Sequence, residues 1–428
     1  MNDDCRVHAL GLADPLALPE LAASLGQTYL VWDAWTGGKR RVDLHPLVLG
    51  AEAHERAVAA AREAWSLADA AAERAHGDLA EAARYRFHPD VTRLCQASRR
   101  AGDAAALVRV DLLLRDDGRF VACEINADCP GGHNEALGLH RLAALAGAKG
   151  GKSPNCVVER LVDRLFALSG GRGSPRGVVA LVFATAWAED LQVCALLERL
   201  LTDKGARAVR APPNALVAGA DGGLTYRGER VAVLYRFYPT EYMEEQEGLE
   251  DIARAVEAGR VVTLSSFSHM YAQSKLSMAR AVAAEPLAAG RVFPETHAFS
   301  DVPASVLERD REDWVVKRAL SRVGEHVLIG ATADAATWRA ALAEIAERER
   351  ADDEVWIAQR LVRQRPVHTP RGPRWLTLGA YLFDGEFVGY FARLSADLLA
   401  SHDAVVLPVL VAPTRARAAT HGPAEAHT

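Results

Sequence analysis

Two stretches near residue 115 combine apolar and polar positions in the way that paired β-strands do. Leu107–Leu114 reads Leu-Val-Arg-Val-Asp-Leu-Leu-Leu, residues 116–118 read Asp-Asp-Gly, and Phe120–Asn126 reads Phe-Val-Ala-Cys-Glu-Ile-Asn. An Asp-Gly turn between two strand-like segments is a hairpin signal. The pattern therefore predicts a β-hairpin.

Side chains on a strand alternate between its two faces, so groups two residues apart lie together. Arg109 and Asp111 therefore share a face of the first strand, and Glu124 and Asn126 share a face of the second. Asp, Glu and Asn are disfavoured inside strands, which favours a local reason for their presence here. We expect these polar side chains to converge on paired strands.

The rest of the chain divides into further predicted regions. Helical periodicity over residues 51–84 predicts a long surface helix or a helix pair. The Gly- and Ser-rich residues 169–175 predict a linker, after which buried strands alternate with helices as in a small parallel α/β domain. The elements predicted there are strand 178–183, helix 189–204 and strands 206–209, 230–235 and 261–264.

From about residue 292 the pattern is α+β with antiparallel strands. Its predicted elements are strands 314–317, 326–329 and 355–359, helix 332–348 and a hairpin around residues 384–385. We therefore predict four regions. Residues 1–170 form an N-terminal helical region with the first hairpin, residues 176–290 the parallel α/β domain, residues 291–412 a C-terminal α+β region, and residues 413–428 a disordered tail.

Composition narrows the class of protein. Of the 428 residues, half are hydrophobic and a quarter charged, with a net charge of −6, so no basic excess favours a nucleic-acid partner. The six cysteines form no C-x-x-C pair, which argues against a zinc site or disulfide framework. No signal-peptide pattern or bilayer-length apolar run occurs. We expect a cytoplasmic protein without a membrane partner.

The first hairpin carries the strongest chemical signal. Mg²⁺ prefers hard oxygen ligands, usually one or two carboxylates together with substrate phosphates. Asp111, Glu124 and Asn126 supply such oxygens, and Arg109 could pair with Asp111 or clamp a phosphate or an oxyanion. The alternative is a solvent-exposed face at the end of a hairpin.

Further candidates lie later in the chain. Lys317 ends an apolar strand, and the loop at residues 321–326 could cover phosphates as a lid; an ordinary hairpin with a solvated lysine is the alternative. Lys275, at a predicted helix start, is either a phosphate ligand or a solvated cation. Gln359 could belong to a segment that contacts adenine, or it could lie where a strand emerges into solvent. Arg393 could complete a charge clamp, or it could be a surface cation.

Commoner nucleotide and hydrolase motifs are absent from the sequence. It contains no G-x-x-x-x-G-K-S/T, no dinucleotide G-x-G-x-x-G after a strand, no G-x-S-x-G and no H-E-x-x-H. These absences argue against P-loop, Rossmann, α/β-hydrolase and zincin chemistry.

Taken in chain order, the motifs resemble one family. Arg-x-Asp, Glu-Ile-Asn with Pro-Gly-Gly, a lysine before a helix, and Trp-Val-Val-Lys with an Arg-x-Gly loop resemble glutathionylspermidine synthase and its relatives. These are circularly permuted ATP-grasp proteins, in which the metal-binding hairpin precedes the nucleotide lid. The resemblance covers roughly residues 100–395. It implies an α+β ATP-grasp-like fold with a small parallel pre-ATP-grasp-like domain.

The resemblance also implies a role for each matching residue. Its cofactors are ATP and Mg²⁺, with two ions expected, and its substrates are a small-molecule or peptide carboxylate and an amine. The matching residues are Asp111, Glu124 and Asn126 for the metal, Lys275, Lys317, Ser321 and Gly324 for the nucleotide phosphates and lid, Gln359 and Leu361 for the adenine side, and Arg109 and Arg393 for catalysis.

The sequence departs from the family pattern at positions that bear on the identity of the substrates more than on the nucleotide site. The chain has Lys317-Arg318 where the family often has Lys-Pro, and Gln359-Arg360 where it often has Gln-Glu. The amidase domain of some bifunctional members is not expected. The leading hypothesis is an ATP-dependent carboxylate–amine ligase. The alternatives are a phosphotransferase acting on a carboxylate or alcohol, and a non-catalytic ATP-grasp-like protein.

Overall fold

A computed structural model describes residues 4–101, 106–171, 176–183, 188–244, 246–321, 326–351, 354–399 and 403–414. Its helices are α1 Pro19–Gln27, α2 Ala51–Gly77, α3 Leu79–Ala83, α4 Pro89–Arg100, α5 His133–Leu145, α6 Val157–Leu168, α7 Ala188–Lys204, α8 Leu249–Glu257, α9 Met270–Gln273, α10 Leu276–Ala284, α11 Pro286–Val292, α12 Ala304–Arg309 and α13 Ala335–Ala351. Short 3₁₀ turns connect several of them.

The described strands belong to five sheets of two to six strands each. They are β1 Cys5–Val7, β2 Trp35–Thr36, β3 Lys39–Arg40, β4 Leu47–Leu49, β5 Leu107–Leu114, β6 Phe120–Asn126, β7 Val178–Phe183, β8 Ala208–Ala211, β9 Val217–Ala218, β10 Leu224–Tyr226, β11 Glu229–Phe237, β12 Val262–Leu264, β13 Thr296–Ala298, β14 Trp314–Arg318, β15 Val327–Ile329, β16 Trp356–Arg360, β17 Val367–Thr369, β18 Gly372–Phe383, β19 Glu386–Ser395, β20 Val405–Leu407 and β21 Val409–Val411.

The predicted hairpin is β5–β6, and its bounds are confirmed. It forms one edge of an antiparallel sheet in the order β20-β19-β18-β5-β6, with β17 beside β18; we call this the hairpin sheet. A register shift follows Asp111, which lies opposite Glu124, whereas Leu112 lies opposite Ala122. This bulge leaves Cys123 as the extra residue of β6. The pairing of β5 with β18 brings the hairpin beside strands from the end of the chain.

The predicted helical region of residues 51–84 consists of α2 and α3, but the expectation of a surface helix is wrong. Ala57, Ala61 and Ala64 are fully buried, and α2 packs against α10, β5 and β6. Alanine stripes allow close approach between a helix and its neighbours, so this face serves as core.

The parallel α/β region is confirmed. Strands β7, β8, β11 and β12 pair in parallel in the order β8-β7-β11, with β12 also on β11, and we call this the parallel sheet. The short antiparallel strands β9 and β10 were not predicted. Their few residues gave too little periodicity to read.

The C-terminal α+β region contains a four-stranded antiparallel sheet in the order β13-β16-β14-β15, which we call the small sheet. Helix α13 covers it and begins three residues later than predicted, because the Asp334 side chain accepts hydrogen bonds from the amides of Ala336 and Thr337 and caps the helix. The hairpin expected around residues 384–385 is β18–β19.

Some expectations concern features outside these sheets. No helix among the described residues combines the length and apolarity needed to cross a bilayer. All six cysteines lie among the described residues, and no two of them form a disulfide. The predicted tail lies almost wholly outside the described residues, as do residues 172–175 of the predicted linker.

Candidate active site

Asp111 lies at the centre of the site on β5. Its side chain is 1% exposed and accepts hydrogen bonds from Arg109 (Nε to Oδ1, 2.8 Å; Nη2 to Oδ2, 3.1 Å). Arg393 on β19 donates from Nη2 to Oδ2 at 2.7 Å, and Asn126 donates to the same oxygen at 3.3 Å. Of the four hairpin residues expected to converge, Arg109, Asp111 and Asn126 therefore meet directly, and Arg393 joins them from β19.

The charge of Asp111 follows from these neighbours. Burial by itself raises the pKa of the Asp111 carboxyl, but Arg109 and Arg393 outweigh that effect and hold the pKa below its ordinary value. The Arg109 guanidinium, which also donates from Nη1 to the Gly131 carbonyl at 3.0 Å, is held charged in turn. Asp111 is thus a carboxylate over the physiological pH range.

Glu124, opposite Asp111, meets Lys275 across the site. Lys275 Nζ lies 2.9 Å from Glu124 Oε1, and the lysine side chain is 3% exposed. The same ammonium contacts the carbonyl and hydroxyl oxygens of Ser321 at 3.3 Å. As predicted, Lys275 stands at the start of a helix, immediately before α10.

Lys317 connects the small sheet to the hairpin. Its Nζ donates to Gln359 Oε1 on the neighbouring strand at 2.8 Å and to the Cys123 carbonyl of the bulge at 3.3 Å. Burial lowers the pKa of Lys317 from its ordinary value. Gln359 is held in turn by donating to Thr296 Oγ1 at 3.0 Å.

Leu361 and Gly324 are two further residues predicted to bind the nucleotide. Leu361 follows β16, and its amide donates to the Asp313 carbonyl at 2.8 Å, so that N–H already has a partner within the protein. Gly324 lies outside the described residues, as do Arg322, Val323 and Glu325 of the predicted lid.

The donor set fits Mg²⁺ accompanied by a nucleotide. Among the described residues no group of three or more His, Cys, Asp or Glu side chains is placed to hold a metal ion. Two carboxylates and an amide oxygen are, however, what Mg²⁺ uses when phosphates complete its octahedron. Arg393 Nε is buried without a hydrogen-bond partner, which leaves a donor for an anion beside the carboxylates.

Sequence reasoning missed Gly379 on β18, which separates Asp111 from Arg393 in the sheet. Gly379 lies opposite both Asp111 and Phe391. A Cβ atom there would stand 2.7 Å from Arg109 Cδ and 3.0 Å from Asp111 Oδ1. The missing side chain therefore leaves room for the arginines to meet Asp111. A glycine inside a strand pattern signals such close approach.

Gln273 is a second residue that sequence reasoning missed. Its Oε1 accepts hydrogen bonds from the amides of Ala127 and Asp128 at 2.8 and 3.0 Å, just after β6 ends. Because Gln273 is two residues before Lys275, it fixes the lysine segment to the end of the β5–β6 hairpin. Its position two residues before the candidate Lys275, in Gln273-Ser274-Lys275, was the sequence feature that could have indicated it.

An acidic group also lies near Arg109. Glu135, at the start of α5, is 6% exposed, and its Oε2 has no hydrogen-bond partner. Burial, then Asp33 and Glu189, raises the pKa of Glu135 to about 8. Burial also raises the pKa of Glu189, which contacts the turn at Gly131 that Arg109 binds. Arg41 opposes the rise in the pKa of both carboxyls, but burial outweighs it.

The fold and site together are those of an ATP-grasp-like protein, in which Lys317 of the small sheet contacts the hairpin of the larger sheet that carries the carboxylates. The family model described as glutathionylspermidine synthase preATP-grasp matches residues 30–412. The chain belongs to this family, and its β5–β6 hairpin precedes the small sheet in the chain. Membership implies ATP-dependent amide ligation. No curated protein matches the chain.

Proposed function

We propose that this protein is an ATP-dependent carboxylate–amine ligase that works through an acylphosphate. A carboxylate oxygen of one substrate attacks the γ-phosphorus of ATP, the bond to the β-phosphate oxygen breaks, and ADP leaves. An amine then attacks the acyl carbon, phosphate leaves, and the amine loses a proton to give the amide. The first step overcomes the poor electrophilicity of a carboxylate.

The observation that carries this proposal is the convergence of cations and metal-type ligands from two sheets. Lys317 of the small sheet contacts the carbonyl of Cys123, the bulge residue that immediately precedes Glu124 in the hairpin. A nucleotide bound between the sheets would place its phosphates among these groups. Preorganised charges of this kind stabilise phosphoryl transfer without covalent participation by the protein.

Each predicted residue then has a physical task. Asp111, Glu124 and Asn126 would hold Mg²⁺, which would supply neutralisation of the phosphate charge. Lys275 and Lys317 would contact the phosphates. Arg109 and Arg393 would face the reacting carboxylate and the tetrahedral oxyanion. Ser321 and Gly324 would belong to the lid over the phosphates, and Gln359 and Leu361 would lie on the adenine side.

The acidic group beside Arg109 supports an amine as the second substrate. Glu135 and Glu189 are buried acidic side chains close to the turn that Arg109 contacts, and Glu135 Oε2 has no hydrogen-bond partner. A buried carboxylate is stabilised by an opposite charge. An ammonium group bound there would stand next to the arginine and would be ready to lose its proton.

Glu124→Gln tests the metal assignment. We expect ATP turnover, measured as ADP release with a panel of small carboxylates and amines, to fall by about 10²-fold or more, because one Mg²⁺ ligand loses its charge. The Mg²⁺ concentration for half-maximal turnover should rise. Asp116→Asn, in the exposed turn of the same hairpin, is the control and should match the wild type.

Equal turnover by Glu124→Gln and the wild type across the Mg²⁺ titration would contradict the metal site. Turnover that depends on a carboxylate alone and yields a stable phosphorylated product would favour the phosphotransferase instead. Dependence of ADP release on both a carboxylate and an amine, with reduced amine dependence in Glu189→Gln, would support the ligase.

We also propose the domain division 1–170, 176–290 and 291–412, and a cytoplasmic location. The location is supported by the six cysteines, which form no disulfides with one another, since reduced cysteines are typical of that compartment.

A further inference from the structure

The candidate metal ligands already have cationic partners within the chain. Asp111 accepts from Arg109 and Arg393, and Glu124 pairs with Lys275. With Lys317 added, four cations surround two carboxylates, so the immediate site carries a net positive charge. The next carboxylate, Glu189, interacts with both arginines but has its pKa raised by burial. A bare divalent cation entering here meets like charge.

Arg109 and Arg393 differ in how firmly they are held. The Arg109 side chain is 10% exposed, makes two hydrogen bonds to Asp111 and donates a third to the Gly131 carbonyl. Arg393 makes one hydrogen bond, from Nη2 to Asp111, and its buried Nε has no partner. Arg393 is therefore the cation that can leave Asp111 at the smaller cost and make better hydrogen bonds with an anion.

Lys275 is in a comparable position at Glu124. Its strong partner is Glu124 Oε1 at 2.9 Å, whereas both contacts to Ser321 are 3.3 Å long. Breaking this ion pair without compensation would leave a buried lysine, which is costly. A phosphate oxygen would replace the carboxylate as its partner and free Glu124 for the metal.

We propose, building on the ATP and Mg²⁺ site of the proposed function, that Arg393 and Lys275 occupy the metal-binding carboxylates until a nucleotide exchanges them. The polyanionic phosphates draw both side chains away from Asp111 and Glu124, and these carboxylates then accept the metal that arrives with the nucleotide. The protein consequently discriminates against free divalent cations and binds metal together with ATP.

Binding of Mn²⁺, followed by the electron paramagnetic resonance signal of the free ion, tests the exchange without turnover. The probes are Mn²⁺ alone and Mn²⁺ with a non-hydrolysable ATP analogue. Because the triphosphate itself chelates Mn²⁺, binding in the second case is the loss of signal beyond that of the same mixture without protein. For the wild type we expect affinity for Mn²⁺ alone to be at least about tenfold weaker than with the analogue, because the chain's cations oppose the ion.

The decisive variants are Arg393→Met and Lys275→Met. Each removes a competing charge, so Mn²⁺ alone should bind about tenfold more tightly than to the wild type, while affinity for the analogue falls. Arg393→Lys keeps the charge and should keep Mn²⁺ binding close to wild type. Arg62→Met and Lys204→Met, which remove exposed ion pairs with Glu386 and Asp163, are the controls.

A purely structural role predicts the opposite sign, since loss of a packing residue would weaken both ligands. The exchange is wrong if both methionine variants fold, by circular dichroism and thermal unfolding, and bind Mn²⁺ alone no better than the wild type. It is also wrong if the wild type binds Mn²⁺ equally well with and without the analogue. Absence of analogue binding in the wild type would instead contradict the proposed function.

Discussion

Gly379 lies opposite Asp111 on the neighbouring strand, where any side chain would meet Arg109 and Asp111. Arg109 and Asp111 lie on β5 and Arg393 lies on β19, and β18 separates these two strands. Arg393 reaches Asp111 across this strand because Gly379 has no side chain. The arrangement of charges therefore depends on an uncharged residue as well as on the acids and bases.

Gly379→Ala should disturb the site more than the fold. The added methyl group must displace Arg109 or Asp111, and overpacking of this kind costs about 1–3 kcal/mol. We expect that loss in the free energy of unfolding by urea, together with at least about tenfold weaker binding of the ATP analogue in calorimetry. Gly290→Ala, in α11 where a Cβ meets nothing within 4 Å, is the control. Unchanged analogue binding would contradict the role of Gly379.

At the scale of elements, the small sheet has a hydrophobic core of its own. Trp338 of α13 is fully buried and donates from Nε1 to the Leu307 carbonyl at 2.9 Å. It packs in a cluster that includes Trp314, Val316 and Ala358 and is separate from the core beneath the hairpin sheet. Because Lys317 and Gln359 lie on strands of this sheet, α13 positions them through that core.

Trp338→Ala should therefore loosen one sheet selectively. Truncating a buried tryptophan costs about 3–5 kcal/mol through lost burial and the cavity left behind. We expect faster amide hydrogen exchange in β14 and β16 and weaker nucleotide binding, with exchange in β5 and β18 unchanged. Trp35→Ala, at a site where the ring is 64% exposed, should leave exchange unaltered. Equal acceleration in both sheets would argue against separate cores.

At the scale of the whole molecule, a buried ion pair joins the parallel sheet to the end of the hairpin. The side chains of Arg236 on β11 and Asp128, which follows β6, are both fully buried and 2.5 Å apart. Thr240 donates to Asp128 from its amide and its hydroxyl, and the Phe267 ring lies 4.4 Å from the Arg236 guanidinium. This contact fixes the segment that immediately follows Asn126.

Arg236→Met should cost about 3–5 kcal/mol in the free energy of urea unfolding, because it leaves a buried carboxylate without its cation. Nucleotide affinity should fall as well, since the end of β6 loses its attachment. Arg254→Met, on the exposed side of α8 with its ion pairs in solvent, should change stability by no more than about 1 kcal/mol. Similar costs for both variants would show that the buried pair does not hold the hairpin.

Much of the local structure followed from the sequence. The alternation and turn residues of β5–β6 predicted the hairpin with its bounds, and apolar runs predicted the parallel sheet and the main strands of the small sheet. These predictions succeeded because period and turn chemistry are local properties. The start of α13 and the burial of α2 were misjudged, since a capping side chain and a tertiary neighbour decided them.

The sequence by itself determined which chemical groups this protein has and the strand faces that carry them: Asp111 with Arg109, and Glu124 with Asn126. The tertiary structure decided which of them meet. It brought Arg393 to Asp111 past Gly379, Lys275 to Glu124, and Lys317 to the Cys123 carbonyl. The contact between Lys317 and Gln359 joins residues 42 positions apart, and the contact between Arg393 and Asp111 joins residues 282 positions apart. No local pattern encodes such distances, because they follow from how the sheets pack.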